Sequence, residues 1–401
     1  MLKLKMYPAM NGDAFLMKTN LSNPTAILID GGYPSTFNDY IQPDLRTLAV
    51  QGYCLDLVVA THIDADHISG LLAFFKKNGN SNEPRIIPVK EVWHNSVRSL
   101  GPVTDITIKP DDAALLTEIK RRGYPQPTGS EVDPKEISAR QGSSLAALLL
   151  GGNYRWNMGD GTTSINSENL SGFKIGTDTQ LDVISPQPNR LEQLRVWWGK
   201  ELRRLGFTGT LGANGVFDDA FEFLCAFKGL REATTTVPTQ ISSSKHGSLN
   251  TIYQPDTSVT NSSSIAFIAN VGSSRVLFLG DAWAEDIELH LRMLENTDAT
   301  MIFDAIKVSH HGSFHNTSHS LLELIDAPVY FISTDGKRHD HPDIAVLKAI
   351  VDRPCSFHRN LYFSHTTSAS REMRNYRSTS GACFSIYEDA TDWIDLKPET
   401  L

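Results

Sequence analysis

Thr61-His62-Ile63-Asp64-Ala65-Asp66-His67 directly follows an apolar run over residues 55–60. The run predicts a buried strand, so these seven residues lie at a strand end. Two imidazoles and two carboxylates within six positions are ligands that Zn²⁺, Mn²⁺ and Fe share. Acids at this spacing repel each other unless a cation lies between them. The stretch therefore predicts a metal site, and the alternative is a solvated turn that caps a helix over 68–77.

Three further strand-like segments also end on polar residues. A segment over 25–29 ends at Asp30, one over 275–279 is followed by Asp281, and one over 302–308 is followed by His310 and His311. Taken singly, such residues are usually turn formers or helix caps. The order strand, turn, helix, strand over the first 60 residues favours an α/β layered fold, in which strand ends share one edge. We therefore expect all four strand ends to converge.

Composition limits the class of protein. The chain has 401 residues, enough for one large or two ordinary domains, and its net charge is −9. This charge argues against a large non-specific phosphate-binding surface, although bound divalent metals would add positive charge locally. Four scattered cysteines without a paired CxxC spacing argue against a disulfide scaffold or a thiolate zinc site. The first residues alternate like a strand rather than a signal peptide, and no apolar run suits a membrane span, so we expect a cytoplasmic protein without a membrane partner.

These motifs resemble those of the metallo-β-lactamase-fold hydrolases. Residues 61–70 are similar to the family's HxHxDH signature, with Asp64 in place of its second histidine, and 277–281 resembles its bridging-aspartate motif. Lys307-Val308-Ser309-His310-His311-Gly312-Ser313 is similar to the late histidine motif of the branch that includes the C-terminal hydrolase domain of bacterial DNA-uptake (competence) channel proteins. Asn261-Ser262-Ser263-Ser264 and His341-Pro342 resemble the same branch.

The resemblance covers about residues 1–90 and 260–345, and it implies a four-layer αββα sandwich with a large insertion between its two halves. We expect a hydrolase domain over 1–350, in which 95–258 is an insertion or lid that faces substrate or a partner. Residues 351–401 are expected to form a C-terminal extension packed on the domain. The polar stretch over 234–258 is interpreted as a mobile loop or lid.

The resemblance also implies a dinuclear site with ligands His62, Asp64, Asp66, His67, Asp281, His310 and His311. Asp281 would bridge the metals, and His62 with Asp64 would hold the first. Asp66 and His67 would hold the second, completed by one of His310 and His311. His310 is favoured for that place because it lies nearer the strand.

Three other roles follow from the resemblance. Asp66 would also orient or deprotonate the attacking water, Asp30 would orient ligands from behind, and His341 would act catalytically by binding phosphate or polarising the leaving group. For His341 a solvated turn is the alternative, and for His339 that alternative is preferred.

The pattern departs from the family at one ligand. The family commonly has a histidine between its signature and the bridging aspartate. His94 qualifies by residue type only, with a surface or core histidine the preferred interpretation, and His246 is a candidate lid residue on the same terms. With Asp64 in place and no middle histidine, the site has more oxygen ligands, which favour Mn²⁺ or Mg²⁺ relative to Zn²⁺. We expect two divalent ions, zinc or manganese, with magnesium possible.

The predicted function is a metal-dependent phosphodiesterase or nuclease, whose substrate is a nucleic acid or nucleotide. A protein partner encoded by a neighbouring gene is also plausible. The first alternative is hydrolysis of a carboxylic ester, thioester, lactone or peptide, which the same fold supports. The second is a metal-bound, non-catalytic module of a multi-protein assembly.

Overall fold

The computed structural model describes residues 2–21, 23–101, 107–122, 143–235, 247–295, 301–338 and 340–396. Within them, two large sheets and their flanking helices form the predicted mixed α/β sandwich. No helix in these ranges is both long and apolar enough to cross a bilayer.

The first sheet has six strands. In spatial order they are Ile394–Leu396, Leu2–Met6, Phe15–Thr19, Ala26–Ile29, Leu57–Val59 and Val92–Trp93. The first four pair antiparallel with one another, whereas Leu57–Val59 pairs in parallel with both Ala26–Ile29 and Val92–Trp93. Every residue of Ala26–Ile29 and Leu57–Val59 is buried, as expected for parallel strands covered on both faces.

The second sheet has eight strands. In spatial order they are Phe384–Tyr387, Arg359–Phe363, Val329–Ile332, Ala305–Lys307, Ser274–Phe278, Ala266–Val271, Thr179–Ser185 and Phe173–Ile175. Ser274–Phe278 forms a hairpin with Ala266–Val271 and pairs in parallel with Ala305–Lys307. The predicted strand over 302–308 is therefore shorter than expected.

Helices cover both outer faces. The helical segments are Pro34–Thr36, Phe37–Ile41, Gln42–Val50, Ala65–Asn78, Val97–Ser99, Pro110–Arg122, Leu145–Gly151, Pro188–Arg204, Gly215–Thr235, Leu249–Ile252, Asn261–Ser263, Ala284–Glu295, Ser309–Gly312, His319–Leu324, Ile344–Val351 and Ser368–Met373. Two short strand pairs complete the regular structure: Gly79–Asn80 with Glu83–Pro84, which is antiparallel, and Met301–Ile302 with Ile325–Asp326, which is parallel.

Three apolar clusters separate the layers. One lies between the sheets, where Phe15 packs edge-on against Phe278 and Phe331. A second joins the first sheet to its helices, and a third joins the second sheet to helices that include Ala284–Glu295 and Ile344–Val351. Alternating sheets and cores of this kind give the expected four layers.

The segment between the two halves is built into the sandwich. Of the predicted insertion over 95–258, Phe173–Ile175 and Thr179–Ser185 extend the second sheet, and buried residues of Pro188–Arg204 and Gly215–Thr235 join the helical layer of the first sheet. Of the predicted lid, 236–246 lies outside the described residues. The part from 247 onward contains the helix Leu249–Ile252 and contacts the site described below.

The C-terminal region joins the sheets at their edges. Arg359–Phe363 and Phe384–Tyr387 extend the second sheet, and Ile394–Leu396 pairs with Leu2–Met6 in the first. The predicted extension over 351–401 therefore supplies a strand to both sheets instead of only packing on their surface.

Candidate metal centre

The strand ends converge as the sequence predicts. His62 follows Leu57–Val59, Asp281 follows Ser274–Phe278, and His310 and His311 follow Ala305–Lys307. The Nε2 atoms of His62, His67, His310 and His311 lie 3.8, 3.4, 3.8 and 3.7 Å from Oδ2 of Asp281. Four imidazoles therefore surround one buried carboxylate oxygen.

His62 and His67, which follow the strand Leu57–Val59 of the first sheet, are held in the same tautomer. Nδ1 of His67 lies 2.9 Å from Oδ2 of Asp30, which accepts its hydrogen. Nδ1 of His62 lies 3.1 Å from Oγ1 of Thr61, and this hydroxyl donates its own hydrogen to Asp30. Thr61 Oγ1 is thus free to accept from His62, so both neutral rings present an unprotonated Nε2. Asp30 lies behind the two ligand candidates, as expected for a residue that orients them.

His310 and His311, which follow the strand Ala305–Lys307 of the second sheet, also have their tautomers fixed by hydrogen bonds at Nδ1. Nδ1 of His311 lies 2.7 Å from the carbonyl oxygen of Ser333. Nδ1 of His310 lies 2.7 Å from Oδ1 of Asn316, whose Nδ2 donates to Asp256 Oδ2 and to the carbonyl oxygen of Asp281. These two donations fix the Asn316 amide with its oxygen towards His310, so His310 also carries its hydrogen on Nδ1. All four Nε2 lone pairs are available to a metal.

Backbone conformation at the site is strained. Asp30, His310 and His311 have φ angles of 54°, 43° and 57°, in the left-handed region that residues with a Cβ rarely adopt. Strain of this kind costs of order 1–3 kcal/mol per residue and persists where surrounding structure holds it, often at functional sites. The left-handed turn at His310 and His311 lets two consecutive imidazoles face the same carboxylate.

Close packing of Gly70 against Gly31 brings the helix Ala65–Asn78 against the turn that follows Asp30. Gly70 donates its amide hydrogen to the carbonyl oxygen of Gly32, and Gly31 donates to that of His67. A Cβ on Gly70 would lie 1.9 Å from the Gly31 oxygen, so no other residue fits there without moving the backbone. The helix Ala65–Asn78 is thereby held where His67 reaches Asp30.

Among the described residues, three groups of ligand atoms share His67, each with its atoms within 4.8 Å of one another. His62, His67 and Asp281 make the first, Asp66, His67 and His311 the second, and Asp13, Asp30 and His67 the third. The sequence favoured His310 beside Asp66 and His67; in the structure it is His311 whose Nε2 lies 3.9 Å from Asp66 Oδ2. His310 is still in the cluster through Asp281.

Two further charged residues, Asp13 and Lys307, lie at the centre of the site, and of these only Asp13 lies outside the motifs that the sequence singles out. Asp13 lies between the candidate ligands, with Oδ1 3.3 Å from Nδ1 of His311. The Lys307 ammonium contacts the Asp13 carboxylate and lies 3.6 Å from Asp281 Oδ1. Burial lowers the pKa of Lys307, but Asp13 and Asp281 outweigh that effect and raise it above its ordinary value. Lys307 is therefore a fixed positive charge.

The donor set fits divalent cations by charge. Six carboxylates have an oxygen within 4.0 Å of a histidine of the cluster: Asp13, Asp30, Asp64, Asp66, Asp256 and Asp281. Six negative charges and one lysine leave an excess of −5 when the imidazoles are neutral, and two divalent ions would supply +4. An unneutralised excess of this size is costly at a buried site.

The donor set also fits by unsatisfied atoms. Nε2 of His62 and His67, and Oδ1 of Asp64 and Asp281, are buried and have no hydrogen-bond partner among the described residues. Buried polar atoms are rarely left without a partner. Imidazole and carboxylate atoms of this kind are suitable ligands for Zn²⁺ or Mn²⁺.

His94 is a core histidine rather than the missing middle ligand. Its side chain is fully buried, its Nε2 lies 2.8 Å from Oε1 of Glu222, and its ring stacks on Trp156 at 5.7 Å. The same glutamate accepts the backbone hydrogens of Leu145 and Ala146. The preferred interpretation of His94 is confirmed. His246 and His339 lie outside the described residues.

His341 lies beside the cluster. Its ring is 5.4 Å from that of His310, and its Nδ1 is 3.4 Å from Asp343 Oδ2. Burial lowers the pKa of His341 although Asp343 opposes this effect, so the ring is neutral near pH 7. The structure thus brings together every candidate within the described residues except His94.

We expect metal removal to destabilise the protein. A ligand at 100 times its Kd stabilises the folded state by about 2.7 kcal/mol per site, so two ions correspond to a melting temperature higher by about 5–10 °C. Thermal unfolding with Mn²⁺, Zn²⁺ or a chelator measures the difference. Equal melting temperatures in all three would contradict metal binding.

The stabilisation by metal should grow as pH rises. Burial lowers the pKa values of His67 and His311, but nearby carboxylates, Asp281 first, outweigh it and raise both. In chelated protein this raised pKa contributes stability below about pH 6.5 that is lost as pH rises through the folded pKa. Metal binding needs neutral imidazoles and strengthens over the same range. The difference in melting temperature should therefore widen from pH 6.5 to 8.5, and a constant difference would oppose this interpretation.

Comparisons with known proteins agree with this architecture. Residues 9–130 match the family model of the metallo-β-lactamase superfamily. A search of curated proteins finds no significant match.

Two solved structures are similar at low level. A long-form RNase Z from yeast has 10% identity and a TM-score of 0.34, covering 91% of this chain, which spans 37% of the yeast protein. Zn²⁺-bound PqqB from Methylobacterium extorquens has 10% identity and a TM-score of 0.36, covering 98% of this chain and 100% of its own. Neither similarity is high enough to support an inference about function.

The matched residues include Asp13, Asp30 and the whole 61–67 motif. The superfamily match supports a metal-dependent hydrolase and divalent-metal binding. Residues 9–130 of this chain are therefore similar to the metallo-β-lactamase superfamily.

Proposed function

We propose that this protein is a phosphodiesterase that uses two divalent metal ions. The observation that carries the proposal is the convergence of four Nε2 lone pairs on Asp281 Oδ2, each fixed by a hydrogen bond at Nδ1. Such a set of oriented donors costs backbone strain at His310 and His311, which a structural role does not require. Bound ions would activate water and polarise a phosphoryl oxygen.

The ligands divide into two sets. His62, Asp64 and Asp281 suit the first ion, because Asp64 Oδ2 lies 3.6 Å from His62 Nε2. Asp66, His67 and His311 suit the second, with Asp281 shared. His310 takes the place of the family's missing middle histidine in this proposal, since its Nε2 lies 3.8 Å from Asp281 Oδ2.

Two residues act on the proton and the leaving group. Asp66 is half-buried at the site, and its Oδ2 accepts a hydrogen bond from Asn11 at 2.8 Å, which orients the carboxylate. The other oxygen, Oδ1, can take a proton from water. His341 lies on the His310 side as a neutral imidazole and can donate a hydrogen bond to a phosphoryl or leaving-group oxygen.

The preference for a phosphodiester rests on the sequence resemblance to the competence-channel branch. Hydrogen bonds connect Asn261 to His310 of the late histidine motif, 307–313. Asn261 donates to Asp256, and Asp256 holds the Asn316 amide that orients His310. Two of the sequence features shared with the branch are therefore connected through the orientation of His310.

Substrate class is tested with a panel. We expect metal-loaded protein to hydrolyse bis-(p-nitrophenyl) phosphate and single-stranded DNA, and Asp66→Ala to lower kcat by about 10²–10⁴-fold because a positioned proton acceptor is lost. A thioester and an ester substrate are assayed in parallel. Turnover of the thioester alone would replace phosphodiesterase by the other hydrolase class. Stoichiometric metal without turnover of any substrate would favour a non-catalytic module.

A further inference from the structure

The loop that carries His341 also carries an arginine with no assigned role. Arg338 is half-buried, and its Nη1 donates to the hydroxyl oxygen of Tyr33 at 3.3 Å. Among the described residues this is its only recorded hydrogen bond, and it forms no ion pair with a carboxylate there. The remaining N–H groups of its guanidinium are thus available to a ligand.

A short chain of hydrogen bonds connects Arg338 to the metal centre. The Tyr33 hydroxyl donates to Oδ1 of Asn11 at 3.1 Å, and Nδ2 of Asn11 donates to Asp66 at 2.8 Å. Tyr33 is 2% exposed, so its position is fixed by packing. Burial and the Asp66 charge raise the pKa of Tyr33, which keeps its hydroxyl protonated. Arg338 is therefore held three hydrogen bonds from a candidate ligand.

The loop reaches the site at two places. His341 contacts the His310 ring, whereas Arg338 contacts Tyr33 and reaches Asp66 through Asn11. Thr334 anchors the start of the loop through its amide hydrogen bond to Ser364 Oγ at 3.0 Å. His341 thus places a hydrogen-bond donor on the His310 side of the centre, and Arg338 places a positive charge on the Asp66 side.

We propose that Arg338, positioned by Tyr33, forms a subsite for a second phosphate group of the substrate, next to the phosphodiester that is cleaved. Arginine matches phosphate because its planar guanidinium donates two parallel hydrogen bonds. The proposal rests on the proposed phosphodiesterase function and narrows its substrate to one with two neighbouring phosphates. Such an anion would also give Arg338 an anionic partner, which it does not have among the described residues.

Dinucleotides that differ only in a terminal phosphate test the subsite. Thymidine dinucleotides with a 5′-phosphate, a 3′-phosphate or neither are assayed with metal-loaded protein. We expect wild type to have a lower KM for one phosphorylated form, and Arg338→Gln to raise that KM about 10–100-fold, as loss of a charge-assisted hydrogen bond does. The unphosphorylated dinucleotide should change less than about twofold.

Lys337→Gln is the matched control. Lys337 is the neighbouring cation, its side chain is 84% exposed and its Nζ is 3.6 Å from Asp335. The Lys337→Gln variant removes the same charge from the same loop. Equal increases in KM for the phosphorylated dinucleotide in both variants would therefore indicate general electrostatics and overturn the subsite. Equal melting temperatures of the two variants would confirm that folding is not the cause.

Direct binding separates this proposal from the proposed function. Calorimetric titration of metal-loaded protein with the phosphorylated dinucleotides reports affinity even if no bond is cleaved. Hydrolysis with no difference between wild type and Arg338→Gln would disprove the subsite and leave phosphodiesterase activity standing. Absence of hydrolysis, with binding that Arg338→Gln weakens, would disprove the activity and retain the subsite.

Discussion

Asp281→Asn is expected to remove at least one metal ion and to lower the proposed phosphodiesterase activity by about 10³-fold or more. The Asp281 carboxylate is the common neighbour of four imidazole Nε2 atoms, at 3.4–3.8 Å. An amide keeps the volume but removes the charge and offers only one oxygen. Since loss of a residue behind a ligand already costs about 10–100-fold, loss of a shared ligand should cost more. Metal content by elemental analysis and kcat at saturating metal measure the effect.

Asp286→Asn is the control for this substitution. Asp286 is also buried, lies five positions further along the chain and forms an ion pair with Arg190 outside the cluster. The control should bind two ions and keep its kcat, although its thermal stability falls. If Asp281→Asn retained two ions with unchanged affinity, the bridging role would be wrong and the two-ion assignment would need another shared ligand.

Polar residues that follow buried strands are expected to meet at one edge of a layered sheet, and this rule explains how much of the site the sequence could reveal. His62, Asp281 and His310 each follow a buried strand, and parallel strands of layered sheets place such residues at one edge. The rule gives the edge but not the direction of a side chain. The direction of the side chains at 310–311 depends on two left-handed backbone angles, so the positions of the strand ends alone do not choose between His310 and His311.

Residues that support the ligands were harder to find, for a different reason. Asn11 and Asn316 carry no ligand signature of their own, and Asn11 meets Asp66 55 positions away. Asp13 precedes the strand Phe15–Thr19 instead of following one, so the rule does not select it. The partner of His94, Glu222, is 128 positions distant and lies in a region without a clear pattern. Long-range pairings of this kind are set by packing.

Lys307→Met is expected to destabilise the protein by about 3–5 kcal/mol, the usual cost of leaving a buried charge without its partner. Lys307 is 1% exposed, donates to the carbonyl oxygen of Gly280 at 2.8 Å and contacts Asp13. Removing its charge takes the excess at the centre from −5 to −6. The loss should therefore be larger after chelation than at saturating metal, because bound cations reduce that excess. Denaturant unfolding under both conditions measures it.

A double-mutant cycle assigns the cost to the pair with Asp13. Adding Asp13→Asn removes the unpaired carboxylate, so the double variant should recover at least about 1 kcal/mol relative to additivity. Lys90→Met is the matched control, because Lys90 also pairs with a buried aspartate, Asp56, but its own side chain is 65% exposed. Water reaches that pair, and we expect a loss of about 1 kcal/mol or less. Additive losses at Lys307 and Asp13, or equal losses at Lys307 and Lys90, would show that the buried lysine does not balance the charge of the metal centre.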